Sequence, residues 1–152
     1  MDKQTLLLTV LSGFKQLGLP YDTGKNADIT MTCEFLNAGW STGKKKITYE
    51  ASIFADETSG TVYMWELTTE KGSGFSFGGK SESSFQSGTT LYRKVKSVQY
   101  GLDGKAYEIS LDLGSIPKTV KEAAKAQGWK FKIVLKKGKA SYPSGYTDHF
   151  TP

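Results

Sequence analysis

Residues 47–68 read ITYEASIFADETSGTVYMWELT, two alternating apolar and polar runs joined by a polar turn that contains glycine. A period of two is the side-chain period of a β-strand, so each run predicts a strand with one apolar face. A connection this short joins antiparallel neighbours, because parallel strands need a long crossover. The stretch therefore predicts an antiparallel hairpin and a fold built on a sheet.

The register of this hairpin can be inferred from its apolar residues. Pairing Ala55 with Thr61 places the apolar residues of both strands, Trp65 included, on one face. The same pairing sets Glu50 directly opposite Glu66, and like charges facing each other across a ladder are unfavourable. Two carboxylates so placed can share a proton or a metal, which makes them a candidate catalytic pair. A neighbouring lysine or a one-residue change in the loop also resolves the conflict, and these alternatives stay open.

Helical periodicity flanks the strand-rich centre of the chain. Apolar residues recur at helical spacing over residues 2–17 and 115–127, and glycine or proline follows each segment as a stop signal. Alternating runs follow one another over residues 29–113. We therefore predict an α+β fold in which a mostly antiparallel, twisted sheet of about five or six strands packs one face against the two helices. We expect one domain over residues 1–140 and a loosely held C-terminal tail over residues 141–152.

A second hairpin is predicted at residues 98–109, which read VQYGLDGKAYEI. A turn centred on the Asp-Gly pair at 103–104 sets Tyr100 opposite Tyr107 and Val98 opposite Ile109. This hairpin resembles the N-terminal hairpin of the actinobacterial nucleoid-bridging silencer proteins, in which the hairpin and the following helix make a dimerisation module. The resemblance covers about a tenth of the chain, and the family's Arg/Gly-containing DNA-binding end has no counterpart here. We attribute it to the chemistry of an Asp-Gly turn.

The glycine-rich segment after the first hairpin contains a phosphate-loop pattern. Residues 74–81 read GFSFGGKS, which matches G-x-x-x-x-G-K-[ST]. A working phosphate loop needs a long helix directly after it, and only about two turns fit before Gly88. We therefore predict a loop that is indifferent to nucleotides. Its three phenylalanines, Phe75, Phe77 and Phe85, make it a candidate lip of a site for a ligand or partner.

Few side chains in the sequence favour catalysis. The chain has one cysteine and one histidine, so it cannot form an internal disulfide or a Cys/His zinc site alone. Cys33 lies on the apolar face of a predicted strand, where we expect a buried and slowly reacting thiol. His149 lies three residues from the C-terminus, where we expect a surface residue. We predict no metal and no cofactor.

The sequence also gives an expectation for the compartment. A single cysteine fits a reducing environment. The first residues predict an amphipathic helix and lack the pattern of a signal peptide or a membrane span. We therefore expect a cytoplasmic protein.

The net charge of +5 is unevenly distributed, because residues 71–152 alone carry +8. Six lysines of this half form a candidate basic surface: Lys118, Lys121, Lys125, Lys130, Lys132 and Lys136. Arginine grips phosphates and base edges better than lysine does, and Arg93 is the only arginine. In the predicted strand at 129–135, alternation puts the aromatic rings on the opposite face from the lysines.

These patterns support three functions in order. The first is a non-catalytic binding or interaction domain whose partner is an unknown protein, a second copy of the chain or a small ligand. The second is a domain that binds nucleic acid or another anionic surface through the six lysines. The third is an enzyme that uses the carboxylates of Glu50 and Glu66.

Overall fold

The computed structural model describes the backbone of residues 2–36, 45–72, 81–86, 95–100, 106–111 and 113–152, with the side chains of residues 2–33, 48–69 and 113–152. In chain order the elements are α1 (Lys3–Gln16), β1 (Asp22–Thr23), β2 (Ile29–Leu36), β3 (Lys45–Asp56), β4 (Thr61–Gly72), β5 (Ser81–Gln86), β6 (Val95–Tyr100), β7 (Ala106–Leu111), α2 (Ser115–Ala126) and β8 (Lys130–Ile133). A short 3₁₀ turn, Lys137–Ala140, follows β8.

The strands form one sheet in the order β5-β4-β3-β2-β6-β7, with every neighbouring pair antiparallel. The two-residue strand β1 pairs with the start of β2, and β8 pairs in parallel with the first four residues of β4. The predicted α+β class, with its mostly antiparallel sheet and two helices, is confirmed.

Both helices cover the same face of the sheet. The apolar stripe of α1 is fully buried, and the shared core contains the following helix residues: Leu6, Leu7, Val10, Leu11, Phe14, Ile116, Val120, Ala123 and Ala124. Alternate residues of the central strands complete the same core, among them Ile29, Met31, Cys33, Ile53 and Met64. Each large apolar side chain that leaves water here contributes about 1.5–3 kcal/mol. The predicted faces of α1 and β2 are thus confirmed.

The hairpin β3–β4 has a different register from the predicted one. Asp56, and not Ala55, is the partner of Thr61. The Asp56 carboxylate explains this, because it accepts hydrogen bonds from the Thr58 N–H at 3.0 Å and from the Ser59 hydroxyl at 3.0 Å. These bonds and the positive φ of Gly60 (63°) close a four-residue turn, so that Asp56 belongs to the strand.

A shift of one residue exchanges the two faces of a strand. Trp65 therefore lies on the side of the sheet away from the helices, where it packs with Val134 and Ala140. Glu66 takes the helix-facing position opposite Ala51. The predicted location of Trp65 is wrong for this reason.

The C-terminal segment covers the side of the sheet that carries Trp65. The Ser52 hydroxyl donates to the Ala140 carbonyl at 2.6 Å, and Tyr142 N–H donates to the Asn26 carbonyl at 2.7 Å. The Phe150 side chain is buried in the main core, and its N–H donates to the Tyr142 hydroxyl at 2.7 Å. The expectation of a loosely held tail is wrong for residues 142–150.

The second hairpin also differs from its prediction by one residue. Tyr100 pairs with Ala106, and Val98 pairs with Glu108. The connecting residues 101–105, with the Asp-Gly pair, lie outside the described part of the chain.

Candidate functional site

The structure separates most of the residues that the sequence grouped together. Phe75 and Phe77, with the phosphate-loop pattern up to Lys80, lie outside the described residues. Phe85 lies in β5 as the register partner of Thr68.

The six lysines are all exposed, but they do not form one surface. Lys118, Lys121 and Lys125 lie on α2, outside the helix layer. Lys130 and Lys132 lie on β8, opposite Thr61 and Tyr63 of β4. Tyr63 packs with Trp65, so the lysines of β8 share the face away from the helices. Lys136 immediately precedes the 3₁₀ turn.

The proposed carboxylate pair does not form. Glu66 pairs with Ala51, and Glu50 pairs with Leu67. The two glutamates are therefore on opposite faces of the hairpin, so they cannot share a proton or a metal. Glu66 is only 1% exposed, and burial raises its pKa to about 7 while the nearby Tyr49 hydroxyl lowers it in part.

A groove of about 720 Å³ lies between α1 and α2. Its lining residues, from both helices, are Thr5, Leu8, Thr9, Ser12, Gly13, Gln16, Leu17, Thr119, Glu122, Ala123 and Ala126. The helices approach closely at Gly13, where a Cβ atom would collide with Thr119 Cγ2. Small residues at the crossing thus set the depth of the groove.

The hydroxyl groups of the groove are largely used within their own helices. Thr9 donates to the Thr5 carbonyl at 2.8 Å, and Thr119 donates to the Ser115 carbonyl at 2.7 Å. The Thr5 hydroxyl donates to the Asp2 carboxylate at 2.5 Å. An occupant therefore meets few free donors on the threonines. Leu8, which is 43% exposed, adds an apolar contact that the fold itself leaves open.

The rim of the groove is basic. By helical spacing, Lys15 flanks the α1 stripe of the groove, and Lys118 and Lys125 flank Glu122 on α2. Glu122 is the acidic residue in the lining, and Lys118 lies 4.0 Å from it. Three lysines therefore face one glutamate along this groove.

A polar cluster joins the start of α1 to the sheet and to the C-terminal segment. Lys3 Nζ lies 3.3 Å from Asp28 Oδ2 and donates to the Tyr146 hydroxyl at 3.1 Å. The same Asp28 oxygen accepts the Ala55 N–H at 2.8 Å. Burial acts to lower the pKa of Lys3, but the hydrogen bond to Tyr146 and the charge of Asp28 outweigh it, so that this pKa is raised. The cluster is closed and holds three segments together.

His149 is also held by the fold. Its Nδ1 lies 3.1 Å from the Gly24 carbonyl oxygen, its Nε2 lies 3.0 Å from the Tyr146 carbonyl oxygen, and its ring stacks on Tyr142 at 4.2 Å. Both ring nitrogens are therefore occupied by backbone acceptors.

The sequence did not indicate the groove or the Lys3–Asp28 cluster. The alternation of β2 shows which residues face the helices, but the cluster joins residues 25 and 118 positions apart. The only sequence signal for the groove was the run of threonine, serine and glycine on the outer side of α1.

No His, Cys, Asp or Glu side chains of the described ranges converge in a group of three that could hold a metal ion. Within the same ranges, no helix combines the length and the apolar character needed to cross a membrane. The fold and the groove define an α+β domain with an open channel between its helices. Comparisons with protein-family models, curated proteins and solved structures find no match to this chain.

Proposed function

We propose that this protein is a non-catalytic interaction domain that binds an apolar, acidic helical segment of a partner protein in the groove between α1 and α2. The observation that carries this proposal is the groove itself, an elongated channel with an exposed leucine, small residues at its floor and lysines along its rim.

The shape of the groove favours a helix over a compact small molecule. Its lining runs from Thr5 to Leu17 on α1, which is about 18 Å at 1.5 Å per residue. That length matches three turns of a helix. Amphipathic helices commonly bind in such grooves through apolar residues spaced three or four apart. Gly13 and Ala126 let the backbone of an occupant approach closely.

The charges of the rim define the chemistry of the partner. Lys15, Lys118 and Lys125 favour a segment with acidic residues beside its apolar stripe. A second copy of this chain would bring the same lysines to the contact, and like charges across an interface are costly. The groove therefore fits a different protein better than it fits a copy of itself.

The first test uses a designed probe, a fluorescent helical peptide of about 16 residues with leucine at helical spacing and glutamate elsewhere. We expect saturable binding by fluorescence anisotropy and at least about tenfold weaker binding after Leu8→Lys, because one unfavourable contact of about 1.4 kcal/mol changes affinity tenfold. Leu135→Lys is the matched control, since Leu135 is 74% exposed and does not line the groove. Equal affinities of the two variants would contradict the proposal.

The second test exchanges charges. Replacing Lys118 and Lys125 by glutamate should weaken the acidic peptide and strengthen the same peptide with lysine in place of glutamate. Replacing Lys130 and Lys132 by glutamate, on the other face of the sheet, should change neither. Salt-sensitive binding of duplex DNA that both double variants abolish would instead support the nucleic-acid alternative.

A further inference from the structure

A second set of polar groups lies on the helix-facing side of the sheet. It consists of Glu66 and Thr68 on β4 and Tyr49 on β3, and none of the three lines the groove. Tyr49 is the register partner of Thr68, and Glu66 lies two residues away on the same face. The three side chains are therefore direct or diagonal neighbours across one ladder.

These groups are buried without hydrogen-bond partners. Glu66 is 1% exposed, and Tyr49 and Thr68 are completely buried. Six buried side-chain polar atoms in the described part of the chain lack a hydrogen bond, and four of them belong to this set: Glu66 Oε1, Glu66 Oε2, Tyr49 Oη and Thr68 Oγ1. Each such atom costs about 1–3 kcal/mol, so four of them cost an amount comparable to the whole stability of a domain.

The chemistry of the set indicates what satisfies it. An ionised carboxylate only accepts hydrogen bonds, and the oxygens of tyrosine and threonine also accept them. A primary ammonium group has three N–H donors, no acceptor and a positive charge. It therefore matches the three side chains in number of bonds and neutralises the buried carboxylate. A water molecule supplies two donors and no charge, so it leaves the carboxylate uncompensated.

We infer that Glu66, Tyr49 and Thr68 form a binding site for the ammonium group of a small primary amine. This site is independent of the groove between the helices and of the partner proposed for it.

The sheet has an interruption next to this site. On the edge of β4 away from β3, β8 pairs up to Met64 and β5 begins its pairing at Leu67. Trp65 and Glu66 are the two residues of β4 between these pairings. A small molecule reaches Glu66 most directly through this interval.

Binding by this site depends on pH in a defined direction. Burial raises the pKa of Glu66 to about 7 in the empty site, so the carboxylate is ionised above neutral pH and protonated below it. The other titratable groups on this face are Tyr49 and Cys33, and burial raises both of their pKa values, so they stay neutral near pH 7. Affinity for an ammonium ion therefore falls about tenfold for each pH unit below 7.

The test measures the melting temperature of the protein at pH 8 with methylammonium chloride, against potassium chloride and tetramethylammonium chloride at the same ionic strength. Once the site saturates, each further tenfold increase in methylammonium should raise Tm by about 4 °C. Tetramethylammonium has no N–H donors and potassium has none, so both should leave Tm unchanged. Lowering the pH to 6 should weaken the methylammonium effect.

Two variants and one control complete the design. Glu66→Gln should abolish the methylammonium effect, and Thr68→Val should reduce it. Glu50→Gln removes a carboxylate from the other face of the same hairpin and should leave the effect intact. No methylammonium effect in the unaltered protein, an equal effect of potassium, or an effect that persists in Glu66→Gln would each overturn the proposal. The first of these outcomes would assign the four atoms to ordered water.

Discussion

Asp28 and Glu66 are buried carboxyls on one sheet, and they differ in what surrounds them. Asp28 receives the Ala55 N–H and lies beside the Lys3 ammonium, and the Tyr142 hydroxyl is close enough to lower its pKa. Glu66 has only hydroxyl neighbours and no hydrogen bond. Burial raises the pKa of both groups, and in Asp28 three partners oppose this rise.

The difference shows how position decides whether a buried charge is compensated. Asp28 lies at the corner where α1, β2 and the C-terminal segment meet, so a backbone donor, a lysine and a tyrosine converge on it. Glu66 lies inside a strand, where the backbone groups belong to the sheet and only side chains can serve as partners. The first carboxyl stabilises the fold, and the second destabilises it unless something binds there.

The largest expected effect is that of Asp28→Ala. Removing one member of a buried ion pair leaves Lys3 and the Ala55 N–H without their partner, and we expect a loss of about 3–5 kcal/mol in the free energy of unfolding. Urea unfolding measures it. Asp22→Ala is the control, because the ion pair of Asp22 with Lys25 at 3.5 Å is more than half exposed and should contribute less than about 1 kcal/mol. A similar loss in both variants would remove the distinction drawn for Asp28.

Glu66→Gln should act in the opposite direction. The pKa of Glu66 is raised from 4.5 to about 7 on folding, so the unaltered protein loses stability as the pH rises from 4.5 to 7. The variant does not ionise, and it should be more stable by at most about 3 kcal/mol at pH 8, in buffers free of amines. At pH 4 the two proteins should be equally stable. Urea unfolding at several pH values measures the difference, and a variant that is less stable at pH 8 would show that the carboxylate has a partner.

The smallest effect concerns Cys33, the register partner of Tyr49. Burial raises its pKa to about 12, so a thiol reagent at pH 8 should modify it only when the structure opens locally. We expect labelling to be slow in native protein and fast in urea. Glu66→Gln should slow it further, whereas Asp28→Ala should accelerate it. Rapid labelling of the native protein would contradict the assigned face of β2.

Periodicity was sufficient to predict the elements and most of the faces. The stripe of α1 and the alternation of Ile29, Met31 and Cys33 gave the correct buried sides, because each element needs one apolar face against the shared core. The tail was harder to predict, since prolines and glycine suggested loose structure. Tyr142 and Phe150 nevertheless bind it to β1, β2 and the core through contacts distant in sequence.

The register of β3–β4 could not be predicted from hydrophobicity, because both faces of this hairpin are buried. Trp65 and Met64 both lie in apolar clusters, one on each side of the sheet. The deciding interactions are the hydrogen bonds of the Asp56 side chain within the turn, which the polar sequence of residues 56–60 allows but does not require. That single residue moved Glu66 from a predicted pair with Glu50 to an isolated, buried position.

The contacts of the first helical turn bring the beginning and the end of the described chain together. The Gln4 side chain donates to the Thr151 carbonyl at 3.0 Å, one residue from Lys3 and its bond to Tyr146. A short linker could join the two ends here, and the exposed turn at residues 57–59 offers a place to open the chain instead. The order of elements along the polypeptide is therefore separable from their arrangement in space, and a circular permutant cut in that turn should keep the same sheet.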